Sequence, residues 1–345
     1  MTGTAVVILN YNGENLLKQF LPAVIRHSED ADIYVADNGS SDRSLQVLRD
    51  QFPSVRIIEL GQNFGFCGGY NRALKLVDAL HYVLLNSDVE VTANWLSPMI
   101  GLLNEHHMIA AVQPKILSYH QRDKFEYAGA GGGFIDSLGY PFCRGRLFTE
   151  VEQDRGQYDD TREVFWASGA CLVIRSSIYH TFRGLDEDFF AHMEEIDLCW
   201  KIQRTEYKVF YCGQSTVFHV GAGTLGYENP RKTYFNFRNG LSLLFKHLNT
   251  GELLYKIPLR VGLDWLAAAV FALKGKFGNA LSVFRAHVDF IARLPVEVRK
   301  RKRLRRDYPW YSRKNIYAGL IVLRFYLRGD KGVRLDDSPQ VNNPR

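Results

Sequence analysis

Four short runs rich in aliphatic and β-branched residues recur near the start of the chain: AVVIL (5–9), DIYVAD (32–37), VRIIEL (55–60) and HYVLLN (81–86). Between them lie ENLLKQFLPAVIRH, DRSLQVLRDQF and GGYNRALKLVDAL, whose apolar residues fall at helical spacing. This alternation is the strongest constraint on the fold. Parallel strands need a crossover connection, and a helix of this length supplies one. The pattern predicts an α/β chain built on a doubly wound, mainly parallel, Rossmann-like sheet. In such sheets ligands bind at the carboxyl ends of the strands. The polar residues that end each run are therefore the first candidates: Asn10-Tyr11-Asn12, Asp37-Asn38-Gly39, Asn63-Phe64-Gly65 and Asn86-Ser87-Asp88.

Beyond this region, residues 116–165 lose regularity and carry glycines at 129, 131, 132 and 133. They read as loops and short strands forming a second side of the cleft. VFWASGACLVIRSSIY (164–179) reads as a strand entering a short helix, and KVFYC (208–212) and STVFHVG (215–221) as further strands. From about 230 the pattern turns helical. The chain thus divides into an α/β domain over 1–228, with halves of about 1–115 and 116–228, a helical C-terminal extension over 229–330 that could associate with a membrane, and a polar tail over 331–345.

With 46% hydrophobic and 23% charged residues among 345, the chain has the composition of a folded globular protein. Its five cysteines form no CxxC pair, which points to a reduced, cytoplasmic setting. MTGTAVVILNYNGENLL does not read as a signal peptide, and VGLDWLAAAVFALKG (261–275) is too short to span a bilayer and contains Asp264. RKRKRLRR (299–306) places seven basic residues in eight positions. It reads as a solvated helix face or as a contact with anionic lipid, which would make the protein peripheral on the inner face of the membrane. No nucleic-acid-binding motif accompanies it, so a nucleic-acid partner is not expected.

Each candidate carries a structural and a chemical reading. Asp37 opens DNGSSD, which suits a turn and helix cap, or a carboxylate accepting a hydrogen bond from a base N–H. NFGFCGGYNRA (63–73) suits tight turns, or a helix start that receives a diphosphate; it matches neither GxGxxG after the first strand nor a P-loop. Asp88 with Glu90 in LLNSDVEV is a solvated strand end or part of a hard-cation site. His219 in VFHVG is a hydrogen-bonded core histidine or a ligand. FFAHMEEIDLCWKIQ (189–203) crowds Glu194, Glu195 and Asp197 at a helix start, where acids favour the dipole and Asp197 can pair with Lys201. One of the three carboxylates could instead be a base.

Taken in order, VVILNYNG, ADNGSSD, NFGFCGGYNRA, LLNSDVEV, FWASGAC and MEEIDLCW…VFHVGAG resemble the family 2 glycosyltransferases of GT-A fold, and within them a bacterial rhamnosyltransferase-like subgroup. The likeness covers roughly residues 4–250. It implies that Asp37 holds the donor's base with Asn10, Tyr11, Asn12 and Asn38 around it. Gly65, Gly68, Gly69, Asn71 and Ser87 would lie against the sugar-nucleotide. Asp88 matches the last aspartate of the DxD metal motif and His219 the histidine that completes a Mg²⁺ or Mn²⁺ site. Trp166, Ser168, Gly169 and Glu194 would line the donor-sugar and acceptor pocket, and Glu195 would be the general base. Two positions depart from the family: Asn86 replaces the first DxD aspartate, so that it would meet ribose or metal through its amide oxygen, and the base is Glu rather than the more usual Asp.

The resemblance implies inverting transfer of a sugar from a nucleoside diphosphate donor, dTDP-rhamnose or a UDP-sugar, to a saccharide or lipid-linked saccharide in cell-surface polysaccharide assembly. Two other readings remain: a sugar-nucleotide nucleotidyltransferase, against which NYNGENL lacks any Lys or Arg, and a non-catalytic protein bound to membranes through 299–306.

Overall fold

The computed structural model describes residues 2–221 and 229–329; the polar tail, the end of the VFHVGAG motif and the expected boundary at 228 lie outside these residues. Strands β1 (Thr2–Asn10), β2 (Asp32–Asp37), β3 (Arg56–Glu59) and β4 (Ala79–Asn86) are all parallel, in the spatial order β4-β1-β2-β3. Their crossovers contain α1 (Glu14–His27), α2 (Ser44–Gln51) and α3 (Gly65–Ala73). Helix α1 buries Leu17, Phe20, Leu21 and Val24, one stripe at helical spacing. Along β1, Ala5 and Val7 join one apolar core while Val6 and Ile8 join another, so the sheet is buried on both faces. The register sets Asn10 beside Asp37 and Leu9 beside Asn86, which brings the candidate residues to one edge.

The sheet continues as a mixed one. After β5 (Val89–Val91), α4 (Ser97–Glu105) and β6 (Ile109–Ser118), a smaller sheet forms from β7 (Gly133–Asp136), β8 (Pro141–Cys143), β9 (Arg146–Leu147) and β10 (Glu150–Val151). The main sheet resumes with β11 (Thr161–Val164) and β12 (Cys171–Arg175), the latter inserted antiparallel between β4 and β6. Then come α5 (Ser176–Thr181), α6 (Glu194–Gln203) and β13 (Lys208–His219), which runs parallel to β6 and antiparallel to β5 and β11. Helices α7 (Pro230–His247), α8 (Thr250–Leu273), α9 (Phe277–Ala292) and α10 (Leu294–Asp307) follow. The chain then returns to the smaller sheet as β14 (Ile316–Tyr317), parallel to β7, and ends in α11 (Ile321–Arg328).

Two elements differ from the sequence pattern. The helical spacing of GGYNRALKLVDAL overruns, because α3 stops at Ala73 and Ala79 is already paired with Thr2 on β1; strand pairing overrides local preference. The two strands expected at 208–212 and 215–221 are one strand, whose register shifts between Cys212 and Thr216.

Candidate active site

At the end of β1, Asn10 is fully buried and donates through Nδ2 to Asp37 Oδ1 (3.1 Å) and Ser40 Oγ (3.1 Å). The Ser40 amide donates to Asp37 Oδ2 (3.0 Å). Asn12 sits at φ +52°, and its Oδ1 accepts from the amides of Ser41 (2.7 Å) and Asp42 (3.3 Å), which fixes the loop ahead of α2. Tyr11 leaves half its surface in water beside this pocket, available to stack. Asn38 accepts from the Phe64 amide (3.0 Å) and donates to the Gly65 carbonyl (3.0 Å), so it braces the start of α3. Gly65 takes φ +70°, and a Cβ there would lie 2.8 Å from the Phe190 ring; at Gly69 it would lie 2.7 Å from Leu9 Cδ1. Gly68 faces Phe64, Arg72 and Glu187. Asn71 is committed elsewhere in the fold: its amide joins Leu185 O, Leu185 N and Tyr179 Oη at 2.7–3.0 Å.

At the end of β4, Asn86, Ser87 and Asp88 are half-buried. Asp88 Oδ1 lies 3.2 Å from His219 Nε2, and His219 Nδ1 lies 3.3 Å from Glu126 Oε2, within charge-pairing range but outside hydrogen-bond alignment. Burial opposes charge on His219, yet the adjacent carboxylates of Asp88 and Glu126 outweigh it and push the imidazole up to about 10. Burial likewise opposes charge on Asp88, and the histidine still holds its carboxyl below the ordinary value. An oxygen and a ring nitrogen converging, with a buried carboxylate behind the ring, is a donor set that fits a divalent cation that takes the place of the imidazole proton. Among the described residues no group of three His, Cys, Asp or Glu side chains is arranged to hold a metal, so such an ion would draw its other ligands from water or a diphosphate.

On the facing side, α6 begins with Glu194 and Glu195. Phe190, His192 and Met193 all take positive φ (64°, 68° and 73°) just before it, a strained conformation for non-glycine residues. Asn239 on α7 holds that loop by donating to the carbonyls of Phe189 (3.1 Å), Ala191 (2.9 Å) and His192 (2.7 Å), and Arg238 donates to those of Asp188 and Phe189. Burial raises Glu195 to about 7, and burial together with the Glu195 charge raises Glu194 well above the carboxylate range. Oε2 of each carboxylate, His192 Nε2 and Asn10 Oδ1 are buried without a protein partner. Such atoms are rare in folded proteins; three of them lie at the start of α6 and the fourth at the end of β1.

The two sides are one cleft. A Cβ on Gly169 would lie 3.9 Å from Glu195 Cβ, and the preceding Ser168 donates through Oγ to Ala128 O (2.8 Å). The Ala128 amide in turn bonds Glu126, behind His219. Trp166 is set back from this line: its indole N–H donates to Phe134 O (2.9 Å) and its ring lies on Gly133, so it supports the wall.

The family described as "Glycosyl transferase family 2" matches residues 5–182. The chain belongs to that family. It is 25% identical over 240 residues to an N-acetylglucosaminyl-diphospho-decaprenol L-rhamnosyltransferase of Mycobacterium tuberculosis, covering 64% of this chain and 77% of the relative. A low-salt glycan biosynthesis hexosyltransferase of Haloferax volcanii is 24% identical over 240 residues, covering 68% and 73%. Among solved structures, GalNAc-T7 with UDP, GalNAc and Mn²⁺ superposes with a TM-score of 0.60 at 15% identity, over 90% of this chain and 55% of that one. The GT-A fold and the rhamnosyltransferase-like subgroup expected from the motifs are both met.

In this family 2 chain, Glu195 and His219 lie beyond the matched 5–182 and are placed by the fold alone. Sequence reasoning missed Glu126, which sits in an irregular stretch with no period to mark it, and Asn239, whose bonds reach back 47–50 positions. It also read Asp197 as a partner of Lys201 and a like-charge neighbour of Glu195, without its contacts on α7. Asp197 is fully buried, 3.2 Å from Lys201 but also 2.8 Å from both Lys246 and His247 on α7.

Proposed function

We propose that this chain is an inverting glycosyltransferase that moves a sugar, rhamnose from dTDP-rhamnose or the sugar of a UDP donor, to a hydroxyl of a lipid-linked saccharide in cell-surface polysaccharide assembly. The observation that carries the reading is the pair of unpartnered buried carboxylate oxygens on Glu194 and Glu195, with Glu195 beside Gly169 where β12 meets the end of β4. The base stacks on Tyr11 and is held by Asp37, the diphosphate lies toward Gly65 and Asp88, and Ser168, Gly169 and Glu194 border the acceptor. Glu195 takes the proton from the acceptor hydroxyl as its oxygen forms a bond to the anomeric carbon. The bond from that carbon to the diphosphate breaks on the opposite face, so configuration inverts. A base raised to about 7 is matched to this task, and general-base catalysis contributes about 10²–10⁴-fold. A divalent ion, Mg²⁺ or Mn²⁺, held by Asp88 and His219 would supply Lewis-acid stabilisation of the departing nucleoside diphosphate.

The same reading sets the enzyme on the inner face of an anionic membrane through part of the basic run. Arg299, Lys302, Arg303 and Arg306 are exposed, whereas Lys300 pairs with Asp186 and Asp188, and Arg301 and Arg305 bond Leu248 O at the end of α7. A panel of nucleotide sugars assayed for nucleoside diphosphate release tests the reaction. Release with at least one donor, lowered at least about 10²-fold by Glu195→Gln at unchanged donor affinity, is the expected result. Pyrophosphate release instead would mean nucleotidyl transfer, and a fully active Glu195→Gln would remove Glu195 from the chemistry.

A further inference from the structure

Helix α8 is amphipathic in the reverse sense to a water-facing helix. Its charged residues Glu252, Lys256, Arg260 and Asp264 are buried against the protein. They pair as Lys256–Glu252 (2.7 Å) and Arg260–Asp264 (2.8 Å), with His287 on the second aspartate oxygen (3.2 Å) and Arg260 over the Tyr140 ring. On the other side, every exposed side chain from Leu254 to Leu273 is uncharged, Tyr255, Leu259, Trp265 and Leu266 among them. Helix α9 continues this surface: Phe277, Leu281, Phe284, Val288 and Ile291 are exposed at alternating spacings of four and three, one face of a helix. The Trp265 and Phe284 rings lie 6.2 Å apart and join the two faces. At the hairpin tip Leu273 is 87% and Phe277 70% exposed. A soluble surface leaves single apolar residues in water, but not two adjoining helix faces.

We infer that the outward face of the α8–α9 hairpin lies in the interfacial layer of an anionic lipid bilayer. Charge selects lipid as the occupant. The exposed spacing of α9 runs on past Arg293 into α10, so that about two turns beyond Ile291 the apolar stripe becomes the basic stripe of Arg299, Lys302 and Arg303. Apolar residues beside clustered cations match the layering of acyl chains beneath anionic headgroups. Trp265 and Tyr255 suit the boundary between the two layers. Among the described residues no helix is long and apolar enough to cross a membrane, so the hairpin lies in the surface. This apolar contact extends the one made by the basic run and does not rest on the sugar-transfer reading.

The test is co-sedimentation of the full chain with phosphatidylcholine vesicles, with and without phosphatidylglycerol. Wild type is expected to bind the anionic vesicles, with a Trp265-dependent fluorescence shift to shorter wavelength that brominated acyl chains quench and Trp265→Phe abolishes. A combined Leu266→Ser, Leu273→Ser, Phe277→Ser variant is expected to partition at least about tenfold more weakly even at low salt, with unchanged Tm and circular dichroism. Arg299→Gln, Lys302→Gln, Arg303→Gln should lose binding while retaining the wild-type Tm. Three results overturn the inference: no vesicle binding at low salt, a serine variant that binds as wild type does, or a dimer in sedimentation equilibrium that the serine variant converts to monomer without any vesicle binding. Nucleoside diphosphate release with a soluble acceptor should be the same in the serine variant and wild type, which separates this inference from the proposed reaction.

Discussion

Lys246→Met tests how α6, the helix that carries Glu195, is held. The ammonium sits between Asp186 Oδ2 (2.9 Å) and Asp197 Oδ1 (2.8 Å), and all three side chains are buried or nearly so. Removing one partner of a buried ion pair typically costs about 3–5 kcal/mol, because the remaining charge stays desolvated. Here the loss belongs near the low end, about 3 kcal/mol, since Lys201 still pairs with Asp197 and Lys300 with Asp186. With a urea m-value of about 3 kcal/mol per M, the midpoint should fall by roughly 1 M. Both aspartates are held below their ordinary values, against burial, by Lys246 first among their cationic partners. Their contribution is therefore fully present above the unfolded value near 4 and is lost as pH falls through the lower folded values. The gap between variant and wild type should be constant from neutral pH down to about 5 and narrow only in stronger acid. Lys246→Met combined with Asp197→Asn should cost at least about 1 kcal/mol less than the two changes summed. A Lys246→Met protein within about 0.5 kcal/mol of wild type, or strict additivity in the double variant, would refute this account of the network.

Transfer should rise with pH and level off above about 7, because Glu195 acts only when ionised; a pH–rate profile flat from 5 to 8 would exclude it. The same raised carboxyl favours the fold below the ordinary glutamate value and loses that contribution as pH rises through about 7, so Glu195→Gln should gain stability over wild type at pH 8, read as a higher Tm. Gly69→Val would put atoms within 2.7 Å of Leu9 and should cost about 1–3 kcal/mol in urea unfolding. Asn239→Ala leaves the Ala191 and His192 carbonyls without their side-chain donor, while Phe189 keeps Arg238, and should lower kcat more than it raises the donor KM, seen in steady-state kinetics.

The parts of the molecule legible in the sequence are those with a period. Strand runs and helical spacing located β1 to β4, and strand ends located Asp37, Asp88 and His219, because a carboxyl edge is where a parallel sheet leaves side chains free. What stayed hidden depends on packing between distant segments. Nothing local marks Glu126 as the carboxylate behind His219, or Asn239 as the clamp on the loop before Glu195. The basic run shows its charge but not its division, in which Lys300, Arg301 and Arg305 are absorbed by the fold. LRVGLDWLAAAVFALKG reads correctly as a helix, yet a helical period does not say which face is inward, and here the charged one is.

The return of β14 to β7 has a consequence for how the protein is made. Ser137, beside β7, bonds Gly319, 182 positions later, and Asp136 takes the amide of Ile321 across 185. During synthesis at about 5–20 residues per second, the edge of the smaller sheet therefore waits roughly 10–40 s for its last strand. For that interval β7 presents unpaired backbone along one edge to the cell. A chain stopped after α10 would keep that edge open permanently, so ribosome-stalled and C-terminally truncated forms should depend on chaperones far more than the finished protein does.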